Sequence, residues 1–164
     1  MTSTCISAAN YLIEKTNEYN SGVDFIEQIS MSCKRLQKLL YFSEVYYMHQ
    51  HGGQAMLKDE FYAWPSGPTV PAVYDKFMRY EGGQMMFVET TDKSLNKDMR
   101  DALDAVFEKT VDIDTNTLVE MSQVFGGPWN QVYDPKDPGH FQIVTKESMY
   151  RFYRKYHRIV QTIK

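Results

Sequence analysis
The residue types able to do chemistry fall in three separate places along the chain. "MHQHGG", at Met48–Gly53, sets His49 and His51 two apart, with Asp59 and Glu60 a little further on. These are the side chains of a hydrolase or a metal site. Two helical residues at that spacing point to different faces, so a pair of surface histidines at a helix C-terminus is the simpler reading. His140 and His157 have no spaced partners. Cys5 and Cys33 have neither metal-ligand spacing nor the density of a disulfide scaffold, and read as small buried side chains in a reducing compartment. Near the C-terminal end Arg151, Arg154, Lys155 and Arg158 alternate with Tyr150, Phe152, Tyr153 and Tyr156. Basic residues interleaved with aromatics can bind nucleic acid, and they also describe an amphipathic helix docked on a core. No stretch reads as a phosphate-cradling glycine loop, a nucleophile elbow or a zinc-protease helix.

A different kind of site is suggested by "FYAWPSGPTVPAVY", Phe61–Tyr74. Pro65, Pro68 and Pro71 each fix φ and push the preceding residue toward extended geometry, which specifies a stiff corner. Gly67 supplies a positive φ or a close backbone approach. Trp64 has the profile of an interface anchor and equally of a core residue facing a loop, and Trp129, after Gly127 and Pro128, has the same ambiguity. On the helix before the corner, Arg35, Gln37 and Lys38 sit beside an apolar stripe. They suit either contact with an acidic partner or a solvated charged face.

The elements that must position these residues are mostly helical. The apolar spacing predicts helices over Ser7–Tyr19, from an N-cap at Ser32 to Gln50, from Val70 with Thr69 as cap and Pro71 in the first turn, and from Ser94 to Thr110. A short fifth helix over 117–124 has Thr115 or Asn116 as cap and stops at Gly126, Gly127 and Pro128. A last helix spans 145–164, with Thr145 and Ser148 as rival caps. The second helix turns Leu36, Leu39, Leu40, Ser43 and Tyr47 to one face, and the third buries Val73, Tyr74, Phe77 and Met78. Ala55–Trp64 suits a short extended segment, and "MMFVET", at 85–90, is the best strand candidate.

The expected fold is therefore mainly α: a single compact domain, 1–164, of five to six helices with a minor short β element. With 43% hydrophobic and 24% charged residues, the chain has an ordinary globular balance and is expected to fold throughout. A net charge of −3 argues against a nucleic-acid partner for the whole domain, while leaving room for a local basic patch. The N-terminal residues carry no secretory signal pattern and no apolar run is long enough to span a bilayer, so a cytoplasmic protein without a membrane partner is expected. No cofactor is implied.

Three pieces, "RLQKLLYF" (Arg35–Phe42), "FYAWPSGPTVPAVY" (Phe61–Tyr74) and "LVEMSQVFGGPW" (Leu118–Trp129), occur in this order and spacing. Together they resemble the Panacea domain of SocA-like and GepA-like proteins from bacterial and prophage genomes, over about Ser7 to Trp129. The resemblance implies an antitoxin of a two-gene toxin-antitoxin system, whose partner is a toxin encoded by a neighbouring gene. It implies no reaction and no enzyme. A family variant of that role is an adaptor that hands the toxin to the ClpXP protease. Partner contacts are then expected at Arg35, Gln37, Lys38, Trp64, Pro65, Gly67, Pro68, Tyr74 and Trp129, with a toxin-binding role for the last helix as a further reading. A DNA-binding regulator and a hydrolase are the readings from other classes. The chain departs from the family pattern at Ser122 and Gln123, where many relatives carry a threonine-histidine pair, and at Arg35, which replaces a lysine.

Overall fold
A computed structural model of the chain describes residues 4–78, 94–137 and 139–155. The strand expected at 85–90 and the end of the last helix, with Tyr156, His157 and Arg158, lie outside them. Seven α-helices occur among the described residues: α1 (Thr4–Ser21), α2 (Cys33–Gln50), α3 (Pro71–Phe77), α4 (Lys97–Thr110), α5 (Thr115–Ser122), α6 (Pro128–Val132) and α7 (Lys146–Lys155). A small antiparallel sheet has the order β2-β1-β3, from β1 (Phe61–Trp64), β2 (Gly67–Thr69) and β3 (Ile143–Val144). The class is mainly α with a minor β element, and the proline corner runs from the turn between β1 and β2 at Pro65, through Pro68 in β2, to Pro71 at the start of α3.

Helix ends follow local chemistry. Ser32 caps α2, its side chain accepting from the Arg35 N–H at 3.1 Å. Asn96 caps α4 and Asp114 caps α5, in place of Ser94 and of Thr115 or Asn116. Ser94 instead donates to the Ser7 hydroxyl. Thr69 does not cap α3, because its hydroxyl turns back to the Gly67 carbonyl within β2. Thr145 wins over Ser148 at α7, accepting from the Ser148 N–H. The sequence pattern misses α6, a single turn begun by Pro128 at a position where a missing N–H costs nothing.

The core is organised around α2, which packs against α1, α3, α4, α5, α7 and β2. Leu36, Leu39, Leu40, Tyr41, Phe42, Val45 and Met48 are all buried, and so are Arg35, Gln37, Lys38, Ser43 and Glu44. The one-faced stripe expected for this helix is corrected: α2 has almost no solvent side. Its buried charges therefore need partners within the protein.

Glu44, fully buried, accepts from the Met56 and Leu57 N–H groups and from Lys146 at the start of α7, 2.5 Å away. Lys146 also donates to the Leu57 carbonyl. This pair, with the Tyr41–Tyr153 hydroxyl contact at 3.3 Å, fastens α7 to α2. Removing one member of such a pair leaves the other charge buried and uncompensated. Lys146→Met is expected to cost about 3 kcal/mol, read as a lower urea midpoint with an unchanged slope.

Candidate functional site
The corner owes its shape to side chains that reach in from three helices and bind its main chain. Gln37 on α2 makes a two-way bond with Val70, donating to its carbonyl at 3.0 Å and accepting from its N–H at 2.8 Å. Lys38, one residue on, donates to the Pro68 carbonyl at 2.7 Å. Gln123, just after α5, donates to the Pro65 carbonyl at 2.9 Å, and the Trp129 indole on α6 donates to the Trp64 carbonyl at 2.8 Å. Prolines suit such a segment because the carbonyls are held from outside while the N–H groups of the ring residues are absent.

The register explains Lys38. Ala63 pairs with Pro68, and the Ala63 N–H points to β3, donating to Gln142. Pro68 therefore directs its own polar edge away from β1, toward α2. That edge lacks a donor because the residue is proline, and its carbonyl takes the Lys38 ammonium. Gly67 completes the fit: its φ is +108°, and a Cβ there would stand 2.7 Å from Ser122 Oγ and 2.9 Å from Lys38 Nζ.

Lys38 is fully buried and no carboxylate among the described residues is paired with it. Burial pushes its ammonium down to about 7. Arg35 spans to the far side of α2, donating to the Thr110 carbonyl at 2.9 Å and the Ile113 carbonyl at 2.8 Å; its guanidinium is also lowered, chiefly by burial. The solvated face read for Arg35, Gln37 and Lys38 is thus corrected by their burial. The signal available in the sequence was the lack of a free face on α2, where Leu36, Leu39, Leu40, Tyr41, Phe42 and Val45 crowd every direction.

Of the expected site residues, Trp64 and Tyr74 are half-buried and pack edge to face with ring centres 5.0 Å apart, and Pro65 is exposed beside them. Gly67 and Pro68 are buried beneath, and Trp129 is 8% exposed, stacked on Tyr133. Gln123, noted in the sequence only as a departure from the family pattern, is one of the clamps. The histidines separate: His51 stacks on Tyr47 and faces Asp98 at 3.5 Å across the gap to α4, while His49 lies against Tyr150 of α7. Neither is brought to Asp59 or Glu60 by these contacts. Among the described residues no group of three or more His, Cys, Asp or Glu side chains is placed to hold a metal ion, and no helix is long and apolar enough to cross a membrane.

The arrangement is that of a small helical domain presenting a rigid aromatic edge. Residues 36–130, more than half of the chain, match the family model described as antitoxin SocA-like, Panacea domain, and the chain belongs to that family. No curated protein and no solved structure matches it.

Two outcomes test the clamp. Gly67→Ala is expected to cost about 3 kcal/mol in urea unfolding, from the positive φ and the clash with Ser122 and Lys38. For Lys38 the unfolded chain keeps its proton to the ordinary value near 10.5, whereas the folded protein releases it near 7. The unfolded state thus binds more protons between those limits, so this group makes stability rise with pH from about 7 upward and adds no slope below. Lys38→Met is expected to abolish that rise in urea midpoints measured from about pH 6 to about pH 9.5.

Proposed function
We propose that this protein is a cytoplasmic antitoxin that binds and neutralises a protein toxin encoded by a neighbouring gene, by occlusion and without chemistry of its own. Membership of the SocA-like antitoxin family supports the class of role. The observation that carries the surface is the Trp64–Tyr74 pair with exposed Pro65, held by four side chains on the main chain beneath it. Aromatic groups fixed before binding lose little freedom on binding, which is what an interface anchor requires. In this reading Trp64, Pro65 and Tyr74 touch the toxin. Gln37, Lys38, Gly67, Pro68, Gln123 and Trp129 act from below, by keeping the edge in place, and Arg35, bonded on the far side of α2, does neither.

The test is growth on induction of the adjoining open reading frame, with and without this protein. Growth arrest relieved by co-expression, with the two proteins co-purifying, is the expected result. Trp64→Ala and Tyr74→Ala, each with unchanged circular dichroism, are expected to weaken the complex by about tenfold or more and to reduce rescue. A harmless neighbour, or a neighbour that stays toxic beside soluble protein, would remove the antitoxin reading. Relief without a stable complex and dependent on ClpXP would replace occlusion by delivery to the protease. Full rescue by both folded variants would sink the surface assignment alone.

A further inference from the structure
Between α1 and α2 the chain makes a single 3-10 turn, Phe25–Glu27, in which Phe25 is 89% and Ile26 is 91% exposed. Isolated apolar side chains on a surface are ordinary. Two adjacent ones on a turn held rigidly outward are not. The holding group is Asn20, buried at the end of α1, whose carboxamide binds the Ile29 main chain on both sides, accepting from its N–H at 2.7 Å and donating to its carbonyl at 2.9 Å. The Gln28 side chain returns to the Asn20 carbonyl. Ile29 is pinned inward and the two residues before Glu27 project. Their surroundings are acidic: Asp24 and Glu27 flank them, and Glu27 shares a cleft with exposed Asp112 and Asp114.

A groove of opposite character runs between the α5–α6 turn and α7. It has a volume of about 730 Å³, of the size that receives whole ligands. Val124 and Phe152 give it apolar walls, Phe125 stands at its edge 93% exposed, and Arg151 and Lys155 supply positive charge. Arg151 is paired with Glu147 at 2.6 Å, but both are largely exposed and such a pair exchanges partners at little cost. The basic groove sits on a chain whose net charge is −3.

From this complementarity we propose that the Phe25–Ile26 knob of one copy docks in the Phe125–Phe152 groove of a second copy, with Asp24 and Glu27 meeting Arg151 and Lys155. The contact joins two different surfaces, so it closes where two copies exchange knobs or a ring forms, and otherwise runs head to tail with a knob and a groove unused at the ends. Nucleic acid is the poorer occupant, because the groove carries Glu147 beside its two cations and has apolar walls.

Sedimentation of the full chain from about 1 to about 300 µM at low salt tests the proposal. The expected result is concentration-dependent association that weakens as salt rises. Phe25→Ser with Ile26→Ser, and separately Arg151→Glu with Lys155→Glu, should each weaken it about tenfold or more while leaving circular dichroism unchanged. The decisive arm mixes the two double variants: one keeps its groove, the other its knob, and together they should form a dimer that grows no further. A wild-type monomer across the whole range would overturn the proposal, as would variants that associate like the wild type or a mixture that stays monomeric. Binding of a short single-stranded oligonucleotide by a wild-type monomer, lost in the Arg151→Glu and Lys155→Glu variant, would assign the groove to nucleic acid instead.

Discussion
Burial of polar side chains on one central helix is the constraint from which the rest of this structure follows. A helix enclosed on all sides would ordinarily be apolar all round, and α2 instead carries Arg35, Gln37, Lys38 and Glu44 into the interior. Each is tolerated because it ends on main-chain groups left open by their own element or loop: Thr110 and Ile113 at and after the end of α4, Val70 and the outer edge of β2 at Pro68, Met56 and Leu57 ahead of β1. Breaking one such bond would leave a buried donor and a buried acceptor unpaired together, and the cost of unmade bonds exceeds the gain from made ones. The irregular parts of the fold are thus specified by the helix they surround.

That division explains what could be read from the chain. Features that depend on near neighbours were legible: the periodic helices, the Ser32 cap, the mainly α class, and the stiffness of a segment with three prolines. Features that depend on distant partners were not. Lys38 and Pro68 are 30 residues apart, and Arg35 and Thr110 are 75 apart, so a charged side chain that looks solvated in its own helix is committed elsewhere in the fold. The cap positions of α4 and α5 moved by one or two residues, to Asn96 and Asp114, which accept from the Met99 and Thr117 N–H groups. The pairing of β1 with β2 was hidden because Pro68 removes the alternating pattern by which a strand is recognised.

The candidate site was legible in part. The aromatic and proline residues of the corner were visible as a rigid unit, and the structure separates them into an outer set, Trp64, Pro65 and Tyr74, and an inner set that fixes them. Gln123 belongs to the inner set. Its carboxamide supplies a donor to the Pro65 carbonyl. Arg35 likewise reaches two carbonyls, of Thr110 and Ile113, and ties α2 to the end of α4.

The outer edge of β2 has one more property. Protein partners often bind by adding a strand to an open sheet, and such binding reads main chain more than side chains. Here the edge has no donor at Pro68, its carbonyl is already taken by Lys38, and α2 lies across it. Strand addition at that edge is therefore closed, and with it a common route to aggregation. Any partner that meets the corner must recognise side chains, so exchanging a single exposed residue can change the choice of partner while the clamp beneath stays as it is.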